Sequence, residues 1–65
     1  MKRVKLERHL RAAGAVFLRH GGNHDRWRNP ANGRKTSVSR QNELSPQDVR
    51  SICKDLDIPP PPKVS

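Results

Sequence analysis

Two turn signals, Gly21-Gly22 and Asn32-Gly33, divide the middle of this 65-residue chain into runs too short for helices. Glycine supplies the positive φ that tight hairpin turns demand, and Asn-Gly is a strong hairpin pair. Ahead of the first turn, Ala15-Val16-Phe17-Leu18-Arg19-His20 is rich in strand formers. Its facing is ambiguous because four consecutive residues are apolar; Phe17, the largest, is expected to point inward. Between the turns, residues 24–29 form a second strand, and after the Asn29-Pro30-Ala31-Asn32-Gly33 turn residues 34–39 form a third, with Thr36 and Val38 on one side. The spacing predicts an antiparallel meander.

Helical patterns flank this meander. Val4, Leu6, Leu10 and Ala13 follow a period near 3.6, with Lys5, Arg8 and Arg11 between them. They predict an amphipathic helix over residues 3–13, with Gly14 placed to form a left-handed cap. Ser45-Pro46-Gln47-Asp48 is a helix start: serine as N-cap, proline at the first helical position, and aspartate at capping-box distance. Val49, Ile52, Cys53 and Leu56 then recur at i, i+3, i+4 and i+7, which makes one stripe of this helix core.

Both helices need an apolar surface to cover, and one sheet face is the surface available. The expected fold is a two-layer α+β domain of order α-β-β-β-α. Its three-stranded antiparallel sheet carries both helices on one face and leaves the other open. Residues 1–58 make this single domain, and residues 59–65, with four consecutive prolines, read as an extended, disordered tail. A proline run can recruit SH3-like domains, but a terminal spacer is the favoured reading. A chain this short buries only about 60% of its unfolded surface. Its single cysteine, Cys53, supplies neither a disulfide nor a paired-cysteine zinc module and falls in the core stripe of the second helix.

The charge is lopsided. Fourteen Lys and Arg against six Asp and Glu give a net +8, and residues 1–40 hold eleven of the cations and two of the acids. A polyanion is the natural partner for such a surface, through counterion release and long-range steering. No apolar run is long enough to span a membrane, and the basic N-terminus lacks the apolar segment of a secretory signal. With a lone thiol, these features fit a cytoplasmic protein.

Strand alternation puts Asp25, Trp27 and Asn29 on one face of the second strand and His24, Arg26 and Arg28 on the other. Trp27, the only large apolar residue of the three, turns its side to the core rather than stacking on a base. His24 then shares the solvent face with two guanidiniums, an arrangement for holding a phosphate beside an imidazole. Metal-free RNA cleavage needs a base for the 2′-hydroxyl proton, and the unperturbed histidine pKa of about 6.5 suits that role. Arg26 and Arg28 can bind the phosphate and steady its growing charge. His20 reads as a solvated strand-end residue that could touch substrate, and His9 as surface. His9, His20 and His24 do not make a zinc pattern and no carboxylate cluster marks magnesium, so neither metal nor cofactor is expected. Lys2, Lys5, Arg8 and Arg11 could track an RNA backbone or form a solvated face.

In this order and spacing the pieces resemble the HicA toxin family, small bacterial mRNA interferases of type II toxin–antitoxin pairs. The resemblance spans residues 2–59. It rests on the basic first helix, Gly22-Asn23-His24 and the aromatic at position 27. It extends through Asn29-Pro30, Gly33-Arg34 and Thr36-Ser37-Val38 to the helix running from Val49 to Leu56. It implies a fold similar to the double-stranded RNA-binding domain and endoribonuclease activity centred on His24. Gly22, Asn23, Arg26, Arg28 and Lys5 are the expected RNA and phosphate contacts. It also implies mRNA as substrate and a HicB-like antitoxin, from a neighbouring gene, that covers the His24 face. The chain departs from the family at Ser39-Arg40-Gln41, where similar members often read Pro-Arg-His. A non-catalytic RNA-binding module of the same fold is the rival reading; a protein-interaction adaptor leaves the charge unexplained.

Overall fold

A computed structural model describes residues 1–62 of the chain, so the last three residues of the proline-rich tail lie outside the described residues. Strands β1 (Val16–Gly21), β2 (His24–Asn29) and β3 (Arg34–Ser39) pair antiparallel in the order β1-β2-β3. The β1–β2 hairpin closes on the Gly21–His24 pair, leaving Gly22-Asn23 as its loop. Gly22 has φ 59° while Asn23 keeps a negative φ, the pattern of a type II′ turn. The β2–β3 turn is closed by the Gly33 N–H, which donates to the Asn29 carbonyl at 2.7 Å. The Asn29 side chain works in both directions. Its oxygen accepts from the Ala31 N–H at 3.0 Å, and its amide donates to the Leu56 carbonyl at 2.8 Å.

Helices α1 (Arg3–Ala12) and α2 (Pro46–Leu56) both lie on one face of the sheet, completing the expected two-layer α-β-β-β-α arrangement. Leu6 and Leu10 from α1 meet Val49, Ile52, Cys53 and Leu56 from α2 over Trp27 and Val38 of the sheet. Trp27 has no exposed surface, Phe17 packs edge-on against it at 5.8 Å, and the Arg11 guanidinium lies 5.1 Å from its ring centre. Truncating an aromatic so placed costs about 3–5 kcal/mol, a large part of what a domain this size has to spend. Burial pushes the Cys53 thiol pKa up, which keeps this residue a neutral small hydrophobe.

The caps follow from the sequence. Ser45 Oγ accepts the Asp48 N–H at 3.1 Å at the start of α2. Gly14, at φ 96°, ends α1: its N–H donates to Arg11 and the next N–H, of Ala15, to Leu10, the paired bonds of a Schellman motif. The segment between β3 and α2 is tied down in a way the pattern does not announce. Leu44 is buried, its N–H donates to the Met1 carbonyl, and the Arg3 N–H donates to Asn42. Beyond α2, His9 Nε2 donates to the Pro59 carbonyl at 2.7 Å, and Pro61 is buried.

Helix α2 ends in the same Schellman geometry as α1, but its left-handed residue is Asp57, at φ 57° and ψ 48°. An L-residue there is strained, and a carboxylate lies at the negative end of the helix dipole. Asp57→Gly removes both costs. It is expected to stabilise the domain by about 0.5–1 kcal/mol, read as a higher urea midpoint with an unchanged slope.

Candidate functional site

Register places the side chains of the open sheet face in rows. Val16, Arg28 and Lys35 form one, Arg19, Arg26 and Ser37 the next, and Gly21, His24 and Ser39 the last. Arg26 confirms the facing, since its guanidinium donates to Ser37 Oγ at 2.8 Å across the β2–β3 pair. Among the described residues, four cations therefore share this face with His24, and no carboxylate stands among them. The alternation of β2 is as expected: Asp25, Trp27 and Asn29 are buried, His24 is exposed, and Arg26 and Arg28 are half-buried. Half-burial fixes the guanidinium stems against the sheet and leaves their heads to solvent.

His24 lines an open depression of about 430 Å³ with Asn23, Ser39, Arg40 and Gln41. Asn23 thus lies beside the histidine, and Gln41, the departure from the resembled family, occupies the same hollow. Gly22 shapes the loop that precedes His24 through its positive φ. Lys5 does not join this group: it is exposed on α1 and lines a separate depression with Met1, Lys2 and Glu43. On its other side His24 borders a groove between β3 and α2, which also carries Asp48 and Asp55. The imidazole of His24 has no hydrogen-bond partner among the described residues, so its nitrogens are open to a ligand.

The other strand-end histidine is not a free surface residue. His20 Nδ1 lies 2.7 Å from Asp25 Oδ1, and the Arg40 guanidinium approaches the same oxygen at 3.8 Å. The Asp25 side chain is 7% exposed and that of His20 64%. The carboxylate only accepts, so Nδ1 carries the proton and Nε2 faces outward. A bulge explains how the pair forms. Phe17 pairs with Trp27 and Arg19 with Arg26, leaving Leu18 as the extra residue. Without it, Phe17 and His20 would lie on opposite faces; with it, both turn to the helical side, their rings 5.0 Å apart.

Compared with known proteins, residues 4–58 match the family model described as the HicA toxin of bacterial toxin–antitoxin systems. The chain belongs to the HicA toxin family. No curated protein and no solved structure gives a significant match. The family makes this HicA chain the toxin of a toxin–antitoxin system, with an antitoxin as its partner. None of its described helices is long and apolar enough to cross a membrane. Arg19 and Lys35 belong to the basic face of this toxin though neither stood out in the sequence. Lys35 was accessible from the parity of Thr36 and Val38, whereas Arg19 required the bulge.

The Asp25 dyad has a spectroscopic signature. In the wild-type protein, nitrogen chemical shifts of neutral His20 should report the Nδ1–H tautomer. Asp25→Asn is expected to shift it toward the commoner Nε2–H form and to destabilise the fold by about 1–3 kcal/mol, the range for a hydrogen bond to a charged group. An unchanged tautomer in Asp25→Asn would show that the carboxylate does not orient the ring.

Proposed function

We propose that this toxin is a metal-independent endoribonuclease that cuts mRNA in the cytoplasm, with His24 as general base, and so blocks translation and growth. The observation that carries the reading is the open sheet face, where an unpartnered imidazole shares a carboxylate-free surface with Arg19, Arg26, Arg28 and Lys35. His24 takes the 2′-hydroxyl proton as that oxygen bonds to phosphorus. The bond to the 5′ oxygen breaks, and that oxygen receives a proton. Arg26, already aligned by Ser37, and Arg28 hold the non-bridging oxygens as charge grows on them. Gly22 and Asn23 set the loop against the substrate backbone. Lys5, on the helical layer, adds to the attractive field rather than to the reacting site. A HicB-like antitoxin covers His24.

One observation favours the rival, a non-catalytic RNA-binding module. No acid orients His24, whereas His20 does have a carboxylate behind it. Incubation of purified protein with total RNA, with and without chelator, separates the two readings. The nuclease reading expects cleavage that chelator does not stop. His24→Ala should lower the rate by about 10²–10⁴, the usual contribution of a general base, with the fold retained by circular dichroism. Arg28→Ala should weaken RNA binding and flatten its salt dependence by about one unit of log–log slope. Full cleavage by His24→Ala would overturn the assignment of the base, and intact RNA with the wild-type protein would leave the binding module.

A further inference from the structure

We infer that the free edge of β3 and the adjoining groove against α2 receive an extended strand of the antitoxin, one bearing Lys or Arg; this rests on the toxin reading above. The argument begins with main-chain groups. The Arg40 N–H donates to the Asn23 carbonyl at 3.1 Å, one residue beyond the His24–Ser39 pair. Antiparallel pairs alternate between hydrogen-bonded and non-bonded. Counting back from Arg40, the peptide groups of Val38, Thr36 and Arg34 face β2, and those of Lys35, Ser37 and Ser39 face outward. No loop or helix backbone group among the described residues bonds to them. They form a row of unmet donors and acceptors of the kind that templates another strand.

The two sheet edges are not equivalent. β1 is interrupted by its bulge at Leu18, a device that spoils edge pairing, whereas β3 runs in unbroken register along its whole length. A groove of about 250 Å³ accompanies the β3 edge. Ser37 and Ser39 form one wall, and Asp48, Ser51 and Asp55 of α2 the other. Buried Leu44 and Ile52 supply an apolar floor for alternate side chains of an added strand.

Charge identifies the occupant. In a chain of net +8, this groove is lined, among the described residues, by two carboxylates and neither Lys nor Arg. A phosphate backbone is repelled there, while a basic side chain on a protein strand is attracted. Asp55 is held in place by the Thr36 hydroxyl, which donates to it at 3.0 Å. Because His24 also lines the groove, a strand seated in it occupies the space next to the imidazole. It blocks His24 without competing for the four cations of the open face.

Amide hydrogen exchange on the nitrogen-labelled toxin, alone and in complex with its cognate antitoxin, tests this. The Ser37 and Ser39 amides should exchange rapidly in the free toxin and at least 100-fold more slowly in the complex. Ser51→Arg, which fills the groove from an exposed helical position, should weaken antitoxin binding at least tenfold with the fold retained by circular dichroism. Asp48→Asn, nearly isosteric, should weaken it at least threefold. Protection of both amides would support the groove even if the wild-type protein left RNA intact, a result that fails the ribonuclease reading alone. Tight antitoxin binding with unprotected Ser37 and Ser39, or full affinity in both variants, would overturn the inference and leave the toxin reading standing. Protection of these amides by a short RNA oligonucleotide instead of the antitoxin would also overturn it.

Discussion

Burial of Trp27 in the central strand fixes the orientation of nearly everything else. β2 is paired on both sides, and its side chains alternate strictly, so a slip of one residue would exchange its two faces. In the observed register Trp27 sits under Leu6, Leu10 and Leu56, with the charged head of Arg11 over its ring. The slipped register would bury Arg26 and Arg28 without partners and expose the indole. An unpaired buried charge costs several kcal/mol and the lost indole burial about as much again, so the alternative is not competitive. His24, Arg26 and Arg28 therefore face solvent because Trp27 cannot. The basic open face is thus a by-product of core packing.

Much of this was legible in the sequence because the signals were local. The capped start at Ser45-Pro46, the stripe from Val49 to Leu56, the Gly14 cap and the parity of β2 each depend on neighbouring residues alone, and each appears in the fold. What escaped required knowledge of pairing. The apolar run Ala15–Leu18 enters β1 without alternation, and the bulge at Leu18 changes which face the chain shows halfway along. Strict alternation from an inward Phe17 sends His20 to the open face, so the contact with Asp25 could not be read. Leu44 joins the core where the N-terminal segment bonds to residues 42–44, a contact about forty positions apart. The groove beside β3 combines a sheet edge with four residues of α2, and no periodicity announces such a junction.

Asp25 links these two kinds of information. Strand parity alone makes it a buried acid, which is tolerable only with partners. Its partners come from either side, His20 on β1 and Arg40 just after β3. Arg40 is fixed further by its main chain, which bonds to Asn23 and accepts from the Arg3 guanidinium. Both ends of the depression around His24 are thus anchored, the hairpin loop through the register of β1 and β2 and the Arg40 segment through Asp25. Asp25 and His20, on the opposite face of the sheet, take part in this anchoring without lining the hollow around His24.

His24 stands where two surfaces of opposite character meet, the basic open face and the acid-lined groove along β3. Such a placement separates attraction from inhibition. Contacts between guanidiniums and phosphates are dominated by counterion release and weaken steeply with salt. Main-chain hydrogen bonds along a strand edge and burial over Leu44 and Ile52 depend far less on ionic strength. An inhibitor seated in the groove therefore gains on RNA as salt rises, without having to match the phosphate backbone charge for charge. The same division spares the open face. In the proposed arrangement its four cations grip RNA, while groove residues such as Ser51 and Asp48 on α2 meet the antitoxin strand. In that arrangement a change of antitoxin specificity draws on substitutions on a helix that the core stripe of Val49, Ile52, Cys53 and Leu56 already holds in place.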